Sequence, residues 1–189
     1  MSELPGKKEV DDYVKKLGKA YETGQIVPND NIMNTYCVLL WMLQNCKDII
    51  IYCGEARLFT VNGKKKLQDI LDKDAVKYLH MKVIDAFQQF VSVKNNSLRV
   101  ICERRPVEWD KDMLQVLREP NVSISLLNTE KAPYFPYHFM VGDDTIYRRE
   151  TNHSEKEGLV RFFTEICKIF RAVFSSYNKD YFVKRLDIA

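Results

Sequence analysis

The chain has 189 residues, 46% of them hydrophobic and 12% aromatic, which is the size and make-up of one folded domain and excludes a disordered chain. Its 29 basic and 26 acidic side chains leave a net charge of +3. So even a balance excludes general electrostatic attraction to nucleic acid, and any affinity for anions has to come from a local cluster. The N-terminus shows no apolar signal segment, and the longest apolar run, CVLLWML, is too short to span a bilayer. A soluble, cytoplasmic protein without membrane contact is expected. The cysteines are Cys37, Cys46, Cys53, Cys102 and Cys167. None has C-x-x-C spacing and most sit in apolar runs, which predicts buried free thiols and no metal site. Nucleotide-loop, zincin and serine-hydrolase signatures are absent, and no cofactor is expected.

Residues 7–22 place Val10, Tyr13, Val14, Leu17 and Tyr21 at helical spacing, with Gly24 as the stop. Asp30 is the expected cap of a second helix that ends near Cys46, with Ile32, Tyr36, Leu39, Leu40 and Leu43 on its apolar side. The pattern then changes. Residues 49–53 are a continuous, mostly β-branched apolar run ended by Gly54, which reads as a strand buried on both faces. Residues 61–93 carry a short and then a long helical pattern, the second with a stripe of Val76, Leu79, Val83, Phe87, Phe90 and Val91. His80 lies within that stripe and reads as a structural histidine. SLRVICERR is a second buried strand, ended by Pro106. EWDKDMLQVLRE is a short helix with Trp109, Met113, Val116 and Leu117 on one side, and NVSISLLN is a third strand.

YHFMV and TIYRRE flank the turn sequence GDD, a hairpin signal. Ser154 and Glu157 have capping-box spacing for a last helix, with His153 at its N-terminus. Its apolar face would run Leu159, Phe162, Phe163, Ile166, Ile169, Phe170, Val173 and Phe174. Strands alternating with helices predict an α/β fold, a mixed β-sheet flanked by helices. An N-terminal helical extension over residues 1–46 would join an α/β domain over 47–189 as one compact domain.

The carboxyl ends of strands are the usual binding edge of such sheets. Glu55 and Arg57 directly follow the first strand. If the second ends at the same edge, Arg104 and Arg105 join Arg57 there as a phosphate-binding surface. NGKKK, residues 62–66, reads as solvated surface. Tyr134 and Tyr137 stand in the proline-rich lead-in APYFPYHF and could line a pocket or a partner surface.

From about residue 47 to 176 the element order, together with HFMVGDDTIYRRETN at the late hairpin, resembles one half of a phospholipase D-like domain. That family carries H-x-K-x-x-x-x-D at this place, followed by a polar patch and a helix. Two halves, from one chain or a homodimer, complete one phosphodiesterase site. His138 fits the histidine position. Met140 stands where the lysine belongs, and the acid position falls on Thr145, with Asp143 and Asp144 earlier. Thr151 and Asn152 fall in the polar patch. Phosphohistidine chemistry needs a fixed cation for the phosphate oxygens and a carboxylate to orient the ring. Loss of one charged donor costs about 10²–10³ in rate.

The resemblance therefore implies a catalytically impaired binding or regulatory module, with a phosphate-containing ligand or nucleic acid as its candidate partner, and a homodimer. The alternatives are a noncanonical phosphodiesterase or nuclease that uses His138 with Arg148 or Arg149, and a protein–protein interaction module. Arg148 and Arg149 lie on the return strand, close enough across the hairpin for one to reach a phosphate near His138.

Overall fold

Helix α1 (Lys7–Thr23) buries Val10, Leu17 and Ala20 and ends at Gly24, whose left-handed φ of 69° suits glycine. The computed structural model describes residues 4–128, 130, 138–152, 157–162, 165–175 and 182–185. Val27–Pro28 form a two-residue strand, β1, ahead of helix α2 (Ile32–Asn45). Asn31, not Asp30, caps α2: its side chain accepts the Asn34 N–H at 2.9 Å, which leaves Asp30 exposed. Both residue types cap well, and the extended backbone of Asn31 decides between them. Eleven of the fourteen residues of α2, Met33 through Leu43, are buried, so this helix lies within the core and not upon it.

Strands β2 (Asp48–Cys53), β3 (Ser97–Cys102) and β4 (Val122–Leu127) are parallel and carry the β-branched runs of the sequence. Helices α3 (Val61–Gln68), α4 (Lys73–Ser92) and α5 (Lys111–Leu117) fill the crossovers. Trp109 precedes α5 and bridges Thr60. Strands β5 (Phe139–Gly142), β6 (Ile146–Asn152) and β7 (Glu157–Phe162) follow, then helix α6 (Glu165–Ser175) and strand β8 (Phe182–Arg185). The eight strands form one mixed sheet in the order β1-β7-β6-β5-β2-β3-β4-β8. The α/β expectation therefore holds.

The C-terminal reading needs correction. Residues 157–162, expected in the last helix, form β7 antiparallel to β6, and the helix starts at Glu165. Leu159 and Phe162 fit a helical stripe, yet Val160 and Phe162 also alternate in the strand manner and are buried as such. Glu157 pairs with Asn152 in the sheet, so it caps no helix. His153, Ser154 and Phe163 lie outside the described residues, as do Tyr134 and Tyr137.

Two cores sandwich the sheet. One face, with Ile49, Ile51, Val100, Met140 and Val160, packs under α1, α2, α4 and α5. The other gathers Ile50, Tyr52, Phe139, Val141 and Tyr147 with Cys167 of α6. All five cysteines are free, and four are buried. Burial pushes the Cys37 thiol up to about 12.

Candidate functional site

Because β2 and β3 are parallel and in register from Asp48↔Ser97 to Cys53↔Cys102, their carboxyl ends sit side by side. The hairpin β5–β6 runs antiparallel to β2, which brings its open end to the same edge. The N-terminus of α2 completes the wall. Between these elements lies a cavity of about 650 Å³.

His138 is set at the cavity by the hairpin register. Its carbonyl accepts the Glu150 N–H at 2.9 Å, and Met140 pairs with Arg148. Side chains alternate across a sheet, so His138, Met140, Arg148 and Glu150 share one face, and all four line the cavity. Glu150 Oε2 lies 3.0 Å from Nδ1 of His138. Glu103 Oε2 lies 3.8 Å from Nε2. Glu103 is itself held by the Tyr52 hydroxyl, which donates to its Oε1 at 2.7 Å. The imidazole is thus oriented between two carboxylates. Gly54 leaves room for it: a Cβ there would stand 3.2 Å from Cε1 and 3.4 Å from Nε2.

Arg148 supplies the deep cation. It is 8% exposed, and its Nε donates to Asn29 Oδ1 at 3.1 Å. The same oxygen accepts the Thr35 hydroxyl at 3.0 Å. Among the described residues no carboxylate reaches ion-pair distance of the guanidinium, and none accepts a hydrogen bond from its Nη nitrogens. Burial draws its pKa down while the charge of Glu150 opposes that. An arginine keeps its charge all the same. Met140, 1% exposed, packs into the core at the cavity floor. The buried cation on this face is thus the residue paired with Met140 across the hairpin.

Arg149 pairs with Phe139 and so belongs to the opposite face. Asp143 and Asp144 stand at the far end of the hairpin. Asp143 accepts the backbone N–H groups of Lys47 and Asp48 at 2.8–3.1 Å, and Asp144 pairs with Arg171 at 3.4 Å. The carboxylate on the imidazole is Glu150, which sequence reasoning missed. Its signal was available in the three-residue turn, since that turn length places 150 opposite 138. Glu103, Tyr52 and Asn29 had no such signal. The backbone of Asn152 ends β6, and its side chain lies outside the described residues.

The rim carries charge of both signs. Glu55 binds Arg57 at 3.8 Å and Arg104 at 3.4 Å, and all three line the cavity. Ala56 between them adopts a left-handed φ of 52° while 1% exposed. Such a conformation costs a non-glycine residue about 1–2 kcal/mol. Lys66, Asp30 and Asp69 complete the rim, and Arg105 is exposed on the solvent side.

A second cluster lies apart, on α4 and α5. His80 Nε2 stands 3.2 Å from Asp112 and 3.6 Å from Asp110. The three could offer ligand atoms within 4.8 Å of one another. The Lys64 ammonium already bridges both carboxylates, at 3.3 Å to Asp110 and 3.0 Å to Asp112. It supplies there the positive charge that a metal ion would supply.

No family's sequence profile matches the chain, and no curated protein sequence matches it. Among solved structures the chain is similar to TrmBL2, an archaeal chromatin protein described with a novel mode of DNA binding. The identity is 12% and the TM-score 0.45, over 96% of this chain and 61% of that one. It therefore spans about three fifths of the length of TrmBL2. It is also similar to Nuc, a phospholipase D family member from Salmonella typhimurium. Here the identity is 8% and the TM-score 0.46, over 86% of this chain and 96% of that one.

Proposed function

We propose that the protein is a recognition module that binds a phosphate-containing ligand in the cavity between His138 and Arg148. One observation carries the reading: a guanidinium more than nine-tenths buried, on the cavity wall, with no carboxylate at ion-pair distance among the described residues. Burying a cation without a directly paired counter-charge costs several kcal/mol. An anionic ligand offsets that cost, and arginine takes phosphate bidentately. His138 adds a second polar contact, and Arg57 and Arg104 attract the ligand to the rim.

Binding without rapid hydrolysis follows from Glu103. A histidine nucleophile has to present Nε2 to phosphorus. A carboxylate 3.8 Å from that nitrogen repels the approaching phosphoryl oxygens. Nor does the cavity wall carry a second histidine, among the described residues, to protonate a leaving group.

A second reading, a phosphodiesterase, rests on the 3.0 Å contact between His138 and Glu150, which fixes the ring as a nucleophile requires. In that reading a second copy of the chain brings the missing acid, and the working unit is a homodimer.

Calorimetric titration with phenyl phosphate tests the first reading, and turnover of bis(4-nitrophenyl) phosphate tests the second. We expect saturable binding of phenyl phosphate, its loss in Arg148→Met, and no turnover. Turnover that His138→Ala abolishes would replace recognition by catalysis. Absence of phosphate binding would end both readings.

A further inference from the structure

The deep end of the cavity has a second donor set, and it narrows the class of ligand. This deduction rests on the phosphate-binding reading above. Asp30, Asn31, Ile32 and Thr35 line the cavity beside Arg148, so the N-terminus of the fourteen-residue helix α2 opens into it. The Asn31 side chain takes the N–H of Asn34, and the Asn31 carbonyl takes that of Thr35. The N–H groups of Ile32 and Met33 come before these and meet no acceptor among the described residues. A helix N-terminus attracts anions through its free N–H groups and its dipole. The guanidinium of Arg148 is tied into the same corner, because Asn29 Oδ1 binds both its Nε and the Thr35 hydroxyl of α2.

We infer that this corner selects the terminal phosphate of a monoester over an internal phosphodiester. A monoester dianion offers three unsubstituted oxygens. The two Nη groups of Arg148 engage two of them, and the Ile32 N–H at the start of α2 engages the third. A diester has one such oxygen fewer and one negative charge less, and its chain must leave the phosphorus in two directions. The floor allows one direction only. Met140 and Ile51 behind the corner are 1% and 2% exposed and belong to the packed core. The rest of the ligand leaves by the rim. There Asp30 and Asp69 accept hydrogen bonds, which favours a polar group with hydroxyl or amino donors outside the phosphate.

Comparing phenyl phosphate with methyl phenyl phosphate on the full chain tests the selection. These two differ only in esterification of one oxygen. We expect the monoester to bind at least about tenfold tighter, in line with one charge-assisted hydrogen bond. Ile32→Pro removes one donor at a helix position that tolerates proline, after an Asn31 whose extended backbone suits a residue before proline. It should weaken the monoester about tenfold and leave the diester nearly unchanged. Because Ile32→Pro also alters packing, amide NMR on the native protein provides an independent readout. The Ile32 N–H signal should move strongly downfield with the monoester. Equal affinity for both esters, or an Ile32 signal that stays in place at saturation, would overturn the selection while phosphate binding stands. Failure of both esters to bind would instead end the underlying reading.

Discussion

His80 and His138 pose the same local arrangement with opposite outcomes. Each imidazole is held between two carboxylates, at 3.2 and 3.6 Å for His80 and at 3.0 and 3.8 Å for His138. Around His80 the Lys64 ammonium bridges both carboxylates, so their charge is answered from within the chain. Around His138 the nearby buried cation is Arg148, anchored by a neutral asparagine and facing a cavity. Residue types alone do not separate a structural histidine from a ligand-facing one. What separates them is whether the surrounding charges are matched from inside the chain.

The difference predicts a crossover between stability and binding. His80→Ala should destabilise the fold by about 2–4 kcal/mol, the usual cost of truncating a buried, hydrogen-bonded side chain, and leave phenyl phosphate binding intact. His138→Ala should cost about 1 kcal/mol or less in urea unfolding and weaken the ligand clearly. Equal effects of both on both measurements would erase the distinction. Glu103→Gln, which removes the carboxylate near Nε2, should tighten phenyl phosphate about three- to tenfold by relieving repulsion of the anion. Gly54→Ala places a methyl 3.2–3.4 Å from the ring of His138. It should loosen the ligand a few-fold with little change in melting temperature, which calorimetry and thermal unfolding can check together.

The smallest effect belongs to pH. The Lys64 ammonium, followed by His80, holds the Asp112 carboxyl below its ordinary value of 3.8. A folded pKa below the unfolded one adds stability that is complete above about pH 4 and is lost as pH falls through the depressed value. Lys64→Met should therefore be less stable than the native chain at pH 5–7, and the gap should narrow below pH 4. Urea midpoints across that range measure it. A gap that widens in acid would contradict the assignment.

The elements were legible where one periodicity dominated. The stripes of α1 and α4 and the β-branched runs of β2 and β3 allowed a single reading, and so did the GDD turn between β5 and β6. Residues 157–162 were illegible because their apolar positions satisfy both periods, and only pairing with β6 decides between them. Of the site, His138, Arg148, Glu55, Arg57 and Arg104 could be found from strand ends and hairpin position. Glu150 needed the hairpin register. Asn29, Tyr52 and Glu103 needed the tertiary fold, since no local pattern relates them to residue 138.

One consequence of the Asn29–Arg148 hydrogen bond concerns the order of events in folding. The bond joins positions 119 apart in the chain. Loops that long close late, after local helices and hairpins have formed. A partly folded chain can thus have the β5–β6 hairpin and its histidine but lacks an aimed guanidinium. Recovery of ligand affinity during refolding should accordingly trail the recovery of far-UV ellipticity, making the ligand a reporter of the final docking of the N-terminal segment.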